Sequence, residues 1–213
     1  MSAALIMNIL ALEFSSSRRG VAVAENDNVL STVATDNLKT SPLALINDTL
    51  KMARLERTTI EVIALGIGPG SYTGIRSAIA TAQGWQLARN VKIMPISSAE
   101  VLAATARTNG QRGETHLLID AQRNEYYLAT WNLTKESQTE TEPLRIIDME
   151  EARKLESFGP QLLKAPNCQP LCPDAAILAQ LAANRTDFKP GETIEPIYLR
   201  PIEFVKAPPP RGL

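Results

Sequence analysis

Gly66-Ile-Gly-Pro-Gly-Ser-Tyr-Thr-Gly-Ile-Arg76, continued by an uncharged run from Ser77 to Ala88, is the stretch whose reading decides the fold. Residues 62–67 are apolar and rich in β-branched side chains, Gly68-Pro69-Gly70 cannot continue a strand, and Ser71 suits a helix N-cap. The pattern predicts a strand, a tight turn and a helix. Such a turn aims unpaired N–H groups outward at the positive end of the helix dipole, where α/β proteins hold phosphates, so Gly68, Gly70 and Ser71 are candidate phosphate contacts. A plain βα turn whose glycines serve only backbone geometry is the competing reading. No Lys-Ser or Lys-Thr follows the last glycine and the spacing is not a dinucleotide fingerprint.

The helix after the turn offers Ser, Thr and Gln where a surface helix would carry Lys and Glu, so most of its circumference is expected to be covered. Ile75, Ile79, Trp85 and Leu87 can supply a core face. Gly74, Ala78, Thr81 and Ala82 recur at spacings of three and four, a stripe that would let a second helix, such as a partner's, approach closely. Burial of the whole helix inside one domain is the alternative.

Two strands at 8–15 and 20–25, a third at 29–35 and a helix capped by Ser41 and started by Pro42 precede this segment; a strand at 91–96 and a helix at 98–107 follow it. The polar, glycine-containing stretch 108–114 reads as the lobe boundary, dividing the chain into 1–110 and 111–213. Beyond it come a hairpin of 116–119 and 125–132, a short strand at 144–149, a helix at 174–183 capped by Asp174, an extended segment at 195–201 and a Pro-rich tail at 208–213. No internal repeat is visible in the sequence.

The 213 residues are 44% hydrophobic and 21% charged with a net charge of −1, so no basic footprint advertises nucleic acid or an anionic membrane. The first twelve residues lack a basic n-region and cleavage pattern and read as the first strand of a cytoplasmic protein. Cys168 and Cys172 with a single histidine, His116, do not make a zinc set and read as free thiols. There is no Gly-x-Ser-x-Gly elbow and no second histidine to act as a base. Glu13, Asp120 and Glu125 stand near strand ends, where acids are common, and a catalytic carboxylate pair is the less favoured reading.

Residues 9–16 with Gly20-Val-Ala-Val23, the loop Gly68-Pro-Gly-Ser-Tyr-Thr-Gly-Ile-Arg76, the 120–127 hairpin and Pro196-Ile-Tyr-Leu-Arg200 resemble, in order, the TsaB (YeaZ) family. The resemblance spans nearly the whole chain. It implies an α/β fold of two lobes of the actin, sugar kinase and Hsp70 type, each built on a ribonuclease H-like sheet. It further implies a non-catalytic paralogue of TsaD that serves threonylcarbamoylation of adenosine in tRNAs reading codons that begin with A. Such proteins pair with TsaD through their first two helices and are joined by the ATPase TsaE, with tRNA reached only through the complex and no membrane involved.

Carried onto this chain, the resemblance makes Leu45, Thr49 and Met52 on the first helix and Gly74, Ser77, Ala78, Thr81, Ala82 and Trp85 on the second the expected partner-binding set. Glu13, Ser15, Gly68, Gly70 and Ser71 are the candidate nucleotide contacts, for ATP or ADP near the partner interface, and no metal or resident cofactor is expected. Where the family's first strand usually ends Asp-Thr-Ser-Thr, this chain has Glu13-Phe14-Ser15-Ser16, a longer carboxylate and a ring where a phosphate would approach. Gln122 replaces a usual arginine. An independent kinase-like ATPase or peptidase of the same fold, and a stand-alone homodimer using the same helices, are the competing functions.

Overall fold

The computed structural model describes residues 7–160, 165 and 167–199. The Pro-rich tail, Arg200 of the last motif and the first six residues lie outside the described residues.

The first lobe begins with β1 (Asn8–Glu13), β2 (Arg19–Glu25) and β3 (Asn28–Thr35), an antiparallel meander. Helix α1 (Pro42–Ala53) then leads to β4 (Val62–Gly66), α2 (Tyr72–Arg89) and β5 (Lys92–Ile96). Both β4 and β5 run parallel to β1, giving the order β3-β2-β1-β4-β5. Helix α3 (Ser98–Thr108) crosses to the second lobe, where β6 (Gly113–Asp120), β7 (Glu125–Leu133) and β8 (Gln138–Asp148) form another antiparallel meander. The one-turn α4 (Met149–Ala152) and the short parallel strands β9 (Ser157–Gly159) and β10 (Cys168–Pro170) complete a sheet ordered β8-β7-β6-β9-β10. The second sheet therefore repeats the topology of the first, three antiparallel strands followed by two parallel ones. This duplicated ribonuclease H-like arrangement is the actin, sugar kinase and Hsp70 fold.

Side-chain alternation along the first sheet builds two cores. Leu10, Leu12, Val21, Val23, Ile63 and Leu65 face α1 and α2, while Ile9, Ala11, Ala22, Ala24, Val62 and Ala64 face the opposite way. That opposite side is covered by α5 (Ala175–Ala183), which Asp174 caps by accepting the Ala176 N–H at 2.7 Å, and by Val101 of α3. The other side of α3 packs Ala99, Leu102, Ala103 and Ala106 on Leu117, Ile119, Tyr127 and Ala129 of the second sheet. Thus α3 and α5 form a shared middle layer, and the last helix returns to the first sheet. The cut at residue 110 separates the strands of the two lobes but not their helices, because α5 belongs to the packing of the first.

Several expectations shift by a few residues. Ser41 precedes α1 in extended geometry without a side-chain cap bond, and Pro42 starts the helix. The strand expected at 144–149 is part of the longer β8, whose exposed residues, TETEP among them, hid its alternation. Residues 195–199 form no helix and join no sheet, and the Ile197 N–H ties them to the first lobe by donating to the Ile67 carbonyl at 2.9 Å.

Candidate functional site

Helix α2 is anchored at its start by Ser71, whose hydroxyl accepts the Gly74 N–H at 3.3 Å, and ends at Asn90 in left-handed geometry. Its inward face is Gly74, Ile75, Ala78, Ile79 and Ala82, all buried. Gly74, Ala78 and Ala82 are therefore corrected from partner contacts to buried positions on the face that α2 turns to its own lobe, where Gly74 lies against the backbone that follows β1. A Cβ on Gly74 would stand 2.0 Å from the Phe14 carbonyl oxygen. Leu45 and Thr49 of α1 are corrected in the same way. Leu45 joins the core under the sheet, and the fully buried Thr49 hydroxyl donates to the Leu45 carbonyl at 2.7 Å. Helical periodicity placed these residues on the right helices but could not say which face of two low-polarity helices meets the sheet.

The face of α2 left to solvent is uncharged between Ser77 and Ala88. Ser77, Ala80, Thr81, Gly84, Trp85 and Ala88 line one wall of a groove of about 1310 Å³, whose other wall is Pro42, Leu43, Asn47, Leu50 and Lys51 of α1 and the 54–58 turn. Gly84 has nothing within 4 Å of where a Cβ would stand, so the backbone of another helix could lie directly on it. Trp85 is half-buried with its indole N–H buried and unpartnered. Met52 is 63% exposed on α1 but does not line the groove, and Leu43, which does, is 51% exposed.

The glycine turn serves a second place, the cleft between the lobes. A cavity of about 360 Å³ is lined by Ser15, Ser16 and Ser17, by Gly70, Ser71, Tyr72 and Thr73, by Leu38, and from the other lobe by Ile119, Asp120, Gln122 and Pro160. Ser15, Gly70 and Ser71 thus meet at this cavity. Glu13 and Gly68 do not reach it. Glu13 is fully buried over Gly66, where a Cβ would be 2.0 Å from its Oε2. Its carboxylate accepts the Ser15 N–H at 2.9 Å and the Ser98 hydroxyl at 3.1 Å. Gly68 donates its N–H to Ser98 Oγ at 3.1 Å, and its carbonyl accepts the Ser98 N–H at 2.8 Å.

These residues offer little positive charge to the phosphates of a nucleotide. The Ser71 N–H is used on the Ser15 carbonyl at 2.7 Å and the Gly74 N–H on the Ser71 hydroxyl, which leaves the N–H groups of Gly70, Tyr72 and Thr73 as the turn's donors at the cavity. No Lys or Arg is among the described residues that line the cavity, and across it stands the Asp120 carboxylate, which accepts the Gln122 backbone N–H at 2.7 Å and Nε2 at 2.8 Å. The glycines are accounted for by close packing instead: a Cβ on Gly70, whose φ is +142°, would stand 2.1 Å from the Ser15 carbonyl oxygen.

Burial pushes the Glu13 carboxyl above the usual carboxylate range, against the lowering pull of its hydrogen bonds from Ser15 and Ser98. A carboxyl raised on folding adds stability that is complete below its unfolded pKa and is lost as pH climbs through the folded value. Glu13→Gln is therefore expected to match the wild type near pH 4 and to melt at a progressively higher temperature than the wild type as pH rises to 8. The wild-type loss within that window is at most about 1.4 kcal/mol per pH unit. A Gln variant destabilised equally at every pH would contradict this.

Tyr72, at the mouth of the cleft, stacks on Tyr198 with ring centroids 5.5 Å apart, and the Arg76 guanidinium lies 4.4 Å from the Tyr72 ring. His116 pairs its Nδ1 with Thr130 Oγ1 at 3.2 Å, away from the cavity lining. Cys168 and Cys172 are unbridged, and burial raises both thiols, so reductant is expected to leave the melting temperature unchanged; a drop on adding reductant would mean a disulfide forms. Among the described residues no group of three or more His, Cys, Asp or Glu is placed to hold a metal ion, and no helix is long and apolar enough to cross a membrane.

Residues 23–186 match the family model described as TsaD: tRNA N6-adenosine threonylcarbamoyltransferase. The chain belongs to this family, in its TsaB/YeaZ group. TsaB/YeaZ relatives named tRNA threonylcarbamoyladenosine biosynthesis protein TsaB include that of Escherichia coli K12, 36% identical over 92 residues, which are 42% of this chain and 38% of the relative. That of Haemophilus influenzae is 32% identical over 87 residues, covering 41% and 37%, and that of Bacillus subtilis 28% identical over 124 residues, covering 57% and 53%. The matches thus span between about a third and half of these TsaB proteins' length. The fold matches the solved structure titled YeaZ from Pseudomonas aeruginosa with a TM-score of 0.78 at 23% identity, over 91% of this chain and all of that one.

Proposed function

We propose that this chain is a non-catalytic subunit of a tRNA threonylcarbamoylation complex. It docks a TsaD-type transferase on the groove between α1 and α2, TsaE joins the pair in the cytoplasm, and tRNA is engaged through the assembly. The observation that carries this reading is the solvent face of α2. Ser77, Ala80, Thr81, Gly84 and Ala88 offer an uncharged, small-residue track beside an open groove, a surface with no charge to desolvate that lets helices approach closely. The names of the TsaB relatives supply the reaction this surface would serve. Two features of the cleft support the non-catalytic part: Glu13 is buried away from it on Ser15 and Ser98, and no Lys or Arg is among the described residues that line it.

Reconstitution tests the proposal. Threonylcarbamoyl incorporation into tRNA by the transferase and the ATPase is expected to require this chain, and the pure chain to turn over neither ATP nor peptides above background. A steady ATPase rate of the isolated chain that Asp120→Ala abolishes would overturn the non-catalytic reading in favour of a kinase-like enzyme.

A further inference from the structure

We propose that the groove between α1 and α2 selects a partner whose docking helices carry an acidic rim, and that the same charges disfavour pairing with a second copy of this chain. The proposal rests on the reading of the groove as the docking surface. Although the chain has a net charge of −1, four cations gather at one end of the groove, Lys51, Arg54, Arg57 and Arg89, and Glu56 is the one acid among the described residues lining it.

Among the described residues, none of the four makes an ion pair with a carboxylate. Arg57 donates its Nε to the Asn47 side-chain oxygen at 3.1 Å, and Arg89 reaches only the Thr58 carbonyl at 3.4 Å. Arg54 is the left-handed residue that ends α1, which fixes the turn carrying Arg57. Beside this cationic end lies an apolar floor that includes Leu50, Leu55 and Trp85.

A two-fold pair of identical grooves puts two copies of this patch into one interface, so a homodimer gathers two excesses of three positive charges there with no acidic rim to offset them. Like-charge juxtaposition across an interface is repulsive, and complementary rims raise association rate and affinity. A partner with carboxylates at that end satisfies the cations while its small or apolar residues cover the floor. A nucleic-acid backbone would satisfy the cations but leave that floor bare, so a protein is the favoured occupant.

Sedimentation velocity of the full chain, alone and with the transferase subunit, at about 50 and 500 mM NaCl gives the test. Heterotypic affinity is expected to fall as salt rises, while self-association strengthens. The double variant Arg54→Glu, Arg57→Glu is expected to weaken the heterotypic complex on the order of tenfold or more and to tighten self-association at low salt. Heterotypic binding indifferent to both salt and charge reversal would overturn the proposal, as would a wild type that self-associates best at low salt. Transferase binding that survives the reversal while binding of tRNA to the chain alone is lost would assign the cations to RNA and also overturn it. Gly84→Arg separates this outcome from failure of the underlying reading. If it abolishes the complex and the charge reversal does not, only the electrostatic selection is wrong; if it leaves the complex intact, the groove is not the docking surface.

Discussion

Ala78→Arg and Ala82→Glu are expected to unfold the isolated chain. Both residues are completely buried between α2 and the sheet, beside Leu12, Ile63, Ile75 and Ile79. A charged side chain there has neither room nor a partner, and an unpaired buried charge costs several kcal/mol, a large share of the roughly 5 to 15 kcal/mol that holds a domain folded. Thermal melting followed by circular dichroism should show the transition lost or lowered by tens of degrees. Gly84→Arg, two residues beyond Ala82 on the open face, is the matched control and should melt no lower than the wild type, since arginine is a better helix former than glycine by roughly 0.8 kcal/mol. Normal melting of the Ala78 and Ala82 variants would mean that α2 presents the opposite face to its own sheet.

The second large effect is expected at the glycines that let α2 and its turn press on the end of β1. Replacing a helical glycine by alanine ordinarily stabilises by about 1 kcal/mol. At Gly74 the sign inverts, because the new Cβ would meet the Phe14 carbonyl oxygen at 2.0 Å, and backbone cannot swing aside as a side chain can. Gly70→Ala adds an unfavourable φ of +142° to a 2.1 Å approach to the Ser15 carbonyl. Urea unfolding should find each variant destabilised by about 2 to 4 kcal/mol, the size associated with strain and overpacking at a fixed site. Gly84→Ala, with open space around it, should gain up to about 1 kcal/mol. Equal stability of Gly74→Ala and the wild type would show that β1 and α2 are not in this contact.

These two results mark the limit of what the residues alone disclosed. The turn, the helix after it and the positions of the strands along the first lobe followed from local chemistry: β-branched apolar runs, a Gly-Pro-Gly break and Ser71 at the cap. The rotation of α2 did not, because Gly74, Ala78 and Ala82 on one side and Ser77, Ala80, Gly84 and Ala88 on the other are both small-residue stripes at helical spacing. Which stripe is inside depends on the Phe14 and Ser15 carbonyls, a tertiary contact across more than fifty residues. Likewise a strand-end glutamate is a plausible cleft acid until Ser98, from α3, is seen to hold it away. The return of α5 to the first sheet was hidden for the same reason. Its apolar face fits either sheet, and only the shared middle layer assigns it. The repeat of the sheet topology carries no repeat in sequence, since the two meanders share only the alternation that any half-buried strand requires.

The most direct measurement is co-sedimentation of the chain with the transferase subunit for wild type, Gly84→Arg and Ala80→Glu, with each variant's melting curve recorded beside it. The account predicts that both variants fold as the wild type does and that neither forms the complex, a loss of about a thousandfold or more in affinity from a charge buried without a partner at a helix contact. Folded variants that bind the transferase as tightly as the wild type would contradict it.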